Sequence, residues 1–445
     1  MNNDQRTRAH GRRTFPAKDI LADFPSLGTP LTAGCQEGAF SASALPVARR
    51  PMSCATRVDV AVVGGGISGL VCAAALQAKH SVAVLEARRR VGGRLLSPQG
   101  VDLGASWSWP PHDTRVAALS RRLGVEPIAQ RLDGDAFMTD AAGKAQGVGN
   151  AGAQMAPCGP GAVRFQGGYQ ALPLALAAAL PDDSLQLGCR VLSVRKSDDG
   201  GVQVAFRRAG EEEVQYLHAR RVVLALPPGV GAASIDFEPA LPAPQRRKMA
   251  TTATWCGDWC KVVATFRSPF WRARGASGVV AAAGPVQIWW EAGGGAELGE
   301  QTSALVGLGV GQEACAALAP LQMADGITAA DLAPQQVAAG ETVPADAVLV
   351  ALVVAALAPA YGPVVKEELV SATAKTWMVD DDLTYAPEGR HRDYGHALLR
   401  EPAPWGVHFA GTETEAQNGH VEGAIRAGER AAAEVLESLA DTAAR

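Results

Sequence analysis

The stretch Val58-Asp-Val-Ala-Val-Val-Gly-Gly-Gly-Ile-Ser-Gly-Leu70 decides the fold of the first part of this chain. Its β-branched run leads into Gly64-x-Gly66-x-x-Gly69, and an alanine-rich helical stretch follows. A second apolar run, Ser81-Val-Ala-Val-Leu85, then ends at Glu86. Strand, glycine turn, helix, strand and acid, in that order, make a dinucleotide fingerprint rather than a bare glycine pattern. Gly64 permits the tight turn, Gly66 lets backbone N–H groups approach a pyrophosphate, and Gly69 lets the helix pack closely on its strand. Gly64, Gly66, Ser68 and Gly69 are therefore candidate cofactor-binding residues, with Glu86 placed to take a ribose hydroxyl.

The next residues narrow the choice of dinucleotide. Ala87-Arg88-Arg89-Arg90-Val91-Gly92-Gly93-Arg94 brings a second glycine pair and a cluster of arginines directly behind the ribose acid. A nicotinamide dehydrogenase has no need of that element. An enzyme that keeps FAD bound does, because a second phosphate-facing turn and an arginine hold it by charge-assisted hydrogen bonds. Arg88, Arg89 and Arg90 also read individually as a solvated basic turn, whereas Arg94, behind the glycine pair, is the stronger candidate.

Leu85-Glu-Ala-Arg-Arg-Arg-Val-Gly-Gly-Arg94 resembles the segment that follows the nucleotide motif in flavin-containing amine oxidoreductases of the monoamine oxidase type. Asp102-Leu-Gly-Ala-Ser-Trp107, Phe165-Gln-Gly-Gly-Tyr-Gln-Ala-Leu-Pro173, and Trp259-Cys-Lys-Val-Val263 with Pro269-Phe-Trp-Arg272 are similar to later blocks of the family. Phe409-Ala-Gly-Thr-Glu-Thr414, Gly419-His-Val-Glu-Gly-Ala424 and Ala427-Gly-Glu-Arg430 resemble its C-terminal signature. These blocks run in family order from about Val58 to Glu437. The resemblance implies a Rossmann-type α/β FAD-binding domain with a discontinuous α+β substrate-binding domain. It adds Ala87, Arg88, Gly93, Arg94, Gly104, Ala105, Ser106, Trp107, Val191, Gly411, Thr412, Glu413 and Val421 to the cofactor-binding candidates. It further implies a homodimer, and electron transfer from a small-molecule amine to O2.

Bulk properties fit an enzyme of this kind. A chain of 445 residues is long enough for two intertwined domains with substantial cores. The net charge of −4, with acids and bases interspersed, gives no sign of nucleic acid or of an anionic membrane surface. Eight cysteines without regular spacing argue against a disulfide framework, and no histidine–cysteine cluster has metal-ligand spacing. The apolar run from Ala347 to Ala358 is too short to span a bilayer and reads as a buried helix. The C-terminus is polar and lacks the anchoring helix of mitochondrial relatives, so a cytoplasmic protein is expected. Export is the alternative, on Arg12-Arg13-Thr14-Phe15, which is twin-arginine-like but has no apolar segment behind it.

Residues 1–55, rich in Pro, Ser, Gly and Arg, read as a flexible N-terminal extension. Residues 56–130, 166–235 and 376–445 are expected to form three parts of the FAD-binding domain, and 131–165 and 236–375 two parts of the substrate domain. Val191-Leu-Ser-Val194, Val202-Gln-Val-Ala-Phe206 and Arg221-Val-Val-Leu-Ala-Leu226 predict a three-strand meander. Val421, Ile425, Gly428, Ala432, Val435 and Leu439 recur at helical spacing and predict a buried stripe. The N-terminus of that helix would face the flavin, where its dipole stabilises negative charge.

Amine oxidation by a flavin needs a neutral amine, an aimed α C–H and exclusion of bulk water. Lys261, in an otherwise apolar strand, is the foremost catalytic candidate. On spacing alone it reads as a strand lysine whose stem reaches for solvent. The resemblance instead aligns it with the family lysine that holds a water against the ring. Trp377 aligns with a tryptophan near the isoalloxazine, though an ordinary core tryptophan is an equal reading. Family members with covalent flavin carry a cysteine between that tryptophan and the Phe409 block. None occurs here, so FAD is expected to be non-covalent. The family's two cage tyrosines fall on His420 and near Asp382, so that cage is lost. His420 is a candidate general base or substrate contact. Asp380-Asp381-Asp382 reads as a solvated acidic loop or, at Asp381 or Asp382, as a contact for a second cationic group on the substrate.

The favoured function is an FAD-dependent oxidase that turns an amine or amino acid into an imine with release of H2O2. A desaturase or dehydrogenase of a hydrophobic substrate on the same fold, and a catalytically degenerate flavoprotein, are the alternatives.

Overall fold

The computed structural model describes residues 56–140, 142–294, 303–322, 347–380, 384, 392–416 and 420–443. The N-terminal extension, Asp381, Asp382 and Gly419 lie outside them. β1 (Arg57–Val63), the helix Ile67–Leu76 and β2 (Val82–Glu86) form the unit read from the fingerprint. β1 and β2 are parallel, with Val60 opposite Val82 and Val63 opposite Leu85. Both strands are near-continuous apolar runs because both faces of the sheet are covered. Val60, Val62 and Val84 enter the core on one side, and Ala61, Val63, Ala83 and Leu85 that on the other.

The same sheet has eight strands. β7 (Leu185–Leu187) joins β2, and β8 (Cys189–Lys196), β9 (Val202–Arg208) and β10 (Val214–Leu224) form the expected meander. β10 begins well before Arg221, where the meander's third strand was expected. Its polar first half pairs antiparallel with β9, and its apolar second half pairs parallel with β1. Only the second half is buried continuously enough to read as a strand. β17 (Val407–Phe409) lies on β10, and β11 (Asp236–Glu238) extends the free edge of β8. Residues 236–238 thus pair within this first sheet. The helix Val421–Ala443 crosses the helix Ile67–Leu76 so closely that a Cβ on Gly428 would lie 2.3 Å from the Ser68 carbonyl oxygen.

A second sheet has the order β16-β12-β15-β14-β13-β4-β5. Its strands are β4 (Asp135–Thr139), β5 (Ala145–Gly147), β12 (Trp259–Phe266), β13 (Ala276–Ala281), β14 (Ile288–Gly294), β15 (Ser303–Val310) and β16 (Leu369–Thr376). The helix Ala347–Tyr361 packs on one face and continues past Pro359. Among the described residues no helix is long and apolar enough to cross a membrane. The opposite face of this sheet turns toward the nucleotide sheet. A short ribbon of β3 (Pro127–Ala129) and β6 (Val163–Phe165) completes the strands.

Candidate active site

The two sheets enclose a cavity of about 440 Å³, which begins at the glycine turn. Gly64 has φ +110°, and a Cβ there would sit 2.6 Å from the Ala225 carbonyl oxygen. A Cβ on Gly69 would lie 2.1 Å from the Gly64 oxygen, so only glycine lets the helix start this close to β1. Gly66 differs, since its Cβ would meet no atom within 4 Å. The helix Ile67–Leu76 has no side-chain cap, and Gly66, Ile67 and Ser68 line the cavity. Its first-turn N–H groups are therefore free to hold an anion such as a pyrophosphate.

Glu86 closes this end. Its Oε2 accepts a hydrogen bond from Gly65 N (2.6 Å) and its Oε1 one from Arg88 N (2.8 Å). Burial pushes the Glu86 pKa up, and the two N–H bonds counter that by favouring the carboxylate. The second glycine pair folds against the first turn, with Gly92 N donating to Gly65 O (2.9 Å). Uncapped N–H donors, a buried carboxylate and a second turn make a set that fits a dinucleotide.

Ala87, Gly93, Arg94, Gly104, Ala105, Ser106, Trp107, Val191, Gly411, Thr412 and Val421 also line the cavity. Gly69, Arg88 and Glu413 stand behind its wall. Glu413 is fully buried, bonded to Arg94 Nη1 (2.8 Å) and Trp255 N (2.9 Å). Arg88 is buried too and bonds Asp380, which corrects two readings. The arginine is no solvated turn residue, and the first of the three aspartates is no solvated acid. The two groups compensate each other's charge, which is what lets both leave water.

Lys261 arises from the middle of β12, opposite Leu308 and Lys375. Its ammonium donates to Gly104 O and to Ser106 Oγ (2.5 Å). It lies 5.5 Å from the Trp290 ring centre and 6.0 Å from that of Trp107. Burial pulls its pKa down to about 8, partly offset by Asp102, whose own carboxyl burial pushes up to about 6. Hydrogen bonds from Ser97 Oγ (2.6 Å) and Tyr169 N (2.8 Å) fix Asp102. The Trp377 indole lines the cavity and donates to Leu103 O (3.3 Å).

His420 stands just before the helix Val421–Ala443. Its ring is 5.3 Å from Trp255 and 6.3 Å from Trp109, and all three line the cavity. Burial lowers its pKa, and nearby Asp113 acts in the opposite direction. A histidine thus stands between two tryptophans at the cavity wall.

Sequence reasoning missed Trp290, Trp109, Asp102 and Asp113 as site residues. Adjacent residues on a strand face opposite ways, so Trp289 enters the core beneath the sheet and Trp290 the cavity side. Choosing between them needed the register of β14. Asp102 opens a quoted motif, and its link to Lys261 emerges only when that loop meets β12.

Residues 149–436 match the family described as flavin containing amine oxidoreductase, and residues 62–123 match the NAD(P)-binding Rossmann-like domain. Over 75 residues the chain is 48% identical to flavin-containing amine oxidase A of Bos taurus, which is 15% of this chain and 14% of that protein. Over 287 residues it is 28% identical to L-amino acid dehydrogenase of Synechocystis sp., covering 62% of this chain and 52% of that one. The chain therefore spans about half or less of the curated relatives it matches. Putrescine oxidase bound to putrescine has a similar fold, with TM-score 0.65 and 22% identity over 86% of this chain and 100% of that one. Cyclohexylamine oxidase from Brevibacterium oxydans IH-35A gives TM-score 0.65 and 22% identity over 86% and 99%.

Proposed function

We propose, from the premise that this chain belongs to the flavin-containing amine oxidoreductase family and binds FAD non-covalently, that it is an oxidase acting on an amine or amino acid. The substrate loses its α hydrogen with two electrons, and an N–H proton, to become an imine. Water then converts the imine to a carbonyl compound and ammonia or an amine, and O2 takes up the two electrons and two protons as H2O2. The observation that carries this reading is Lys261, a buried amine at the cavity wall whose partners are a carbonyl, a hydroxyl and two indole faces.

Bound FAD supplies the two-electron acceptor for the α C–H. The helix Ile67–Leu76, Glu86 and the Gly92–Gly93 turn hold its nucleotide half, and Arg94, Gly411 and Thr412 border the cavity farther along. Trp107 and Trp377 exclude bulk water from the reacting carbon. Lys261 Nζ, poised near pH 8, keeps a proton or a water at hand for the oxygen half of the cycle. The His420 imidazole, whose pKa burial lowers, accepts the proton that an ammonium substrate must lose.

One observation favours a second reading. The relative matched over the greater length is named a dehydrogenase, which supports an acceptor other than O2. Anaerobic mixing with pooled amines and with pooled amino acids, followed by admission of air, separates the two. Bleaching by one pool and stoichiometric H2O2 on aeration are expected. Bleaching with slow recovery in air would move the assignment to the dehydrogenase, and no bleaching by any pool would sink both.

A further inference from the structure

A buried charge cluster ties the two sheets together beside the cavity. Asp380 Oδ1 accepts a hydrogen bond from Arg88 Nη2, and its Oδ2 accepts one from Lys375 Nζ at 2.9 Å. The three side chains are only 6%, 4% and 3% exposed for Arg88, Lys375 and Asp380. Arg88 belongs to the turn after β2 in the nucleotide sheet, and Lys375 to the end of β16 in the other sheet.

Each cation is joined to a cavity wall. The Arg88 N–H holds Oε1 of Glu86, so anchoring Arg88 sets where the ribose acid stands. The Lys375 ammonium lies 5.0 Å from the Trp377 ring centre, and Asp380 N donates to Trp377 O (3.3 Å). Asp380 is the group that touches both sides. Well-packed apolar residues would join two sheets at least as stably as buried charges do. What charges add is direction, because each carboxylate oxygen accepts its partner only from a narrow range of positions.

We propose that Asp380 is a positioning residue that sets the Glu86 turn against the Trp377 wall, and so fixes the two ends of the FAD cavity relative to one another. Removing its charge loosens the cofactor without touching a group in contact with it.

The test is FAD release from the purified holoprotein, followed by the recovery of free FAD fluorescence after dilution, together with the visible spectrum of the bound flavin. Asp380→Asn is expected to release FAD roughly tenfold faster or more, with an altered visible band. Loss of the Asp380 charge beside two buried cations also destabilises the protein, so a neutralised variant carrying Arg88→Met, Asp380→Leu and Lys375→Met separates the two effects. It is expected to recover thermal stability yet keep the fast release and the altered band. Slow release with a wild-type spectrum in that variant would reduce the cluster to a structural contact and overturn the proposal.

Discussion

The nucleotide end and the substrate end of the cavity are built from different materials. At the nucleotide end the working groups are backbone: uncapped N–H donors of the helix Ile67–Leu76, two glycine turns and the N–H groups that hold Glu86. At the substrate end they are side chains, with Lys261, Trp377 and His420 brought from β12, the residue after β16 and the start of the last helix. A backbone site tolerates no Cβ at its tight points and barely depends on residue identity elsewhere. A side-chain site tolerates a change of fold detail but is defined by each residue.

The contrast is sharpest at Gly69. Gly69→Val would drive a side chain into the Gly64 oxygen, and the expected result is a protein without bound flavin, destabilised by about 1–3 kcal/mol through overpacking. The ratio of visible to ultraviolet absorbance and a thermal melt measure it. A yellow, stable variant would mean that the backbone turn is not the cofactor's anchor.

Lys261→Met tests the side-chain end. FAD should stay bound while oxidative turnover or flavin reoxidation falls at least tenfold, roughly 1.4 kcal/mol of barrier. Its pKa, lowered from 10.5 to about 8, also predicts a stability signature. Between those values the unfolded chain holds a proton that the folded one has released, so folding becomes more favourable as pH rises. The cost of burying charged Lys261 is complete below about pH 8 and fades toward 10.5. The gap in melting temperature between wild type and Lys261→Met should change across that window. A constant gap would show that Lys261 carries its ordinary pKa.

A smaller effect is expected at His420. With its pKa below the ordinary histidine value, the acidic limb of kcat/KM should fall below about pH 6.5. His420→Gln should remove that limb and lower kcat/KM roughly fivefold, the worth of one hydrogen bond of about 1 kcal/mol. An unchanged limb would assign it to another group.

The smallest change in stability should come from Gly66→Ala, because its Cβ points into open space and its backbone (φ −72°) suits any residue. Its stability, read from a thermal melt, should stay within about 0.5 kcal/mol of wild type, as for a surface substitution. FAD should nevertheless dissociate faster, since the methyl group occupies the approach to the helix N-terminus. Paired with Gly69→Val, it separates a glycine needed by the fold from one needed by the ligand.

Legibility followed the same division. The βαβ unit, the meander and the terminal helix were readable because period and turn chemistry are local properties of consecutive residues. The glycines and Glu86 were readable as site residues for the same reason, since their partners lie within one supersecondary unit. Lys261 was readable only through resemblance, because nothing in its strand shows that Gly104 O and Ser106 Oγ will meet its ammonium. Arg88 and Asp380 each read alone as solvated charge. Their pairing joins segments nearly three hundred residues apart in the chain, and only folding makes it visible.

By itself, then, the order of residues determined a dinucleotide-binding α/β sheet and one end of its cavity, because short-range sterics and hydrogen bonding suffice there. Which tryptophan faces the cavity, which lysine is buried beside it and which aspartate bridges the sheets were decided by the tertiary structure. Burial and charge compensation belong to the packed pair of sheets, and no segment carries them before the sheets meet.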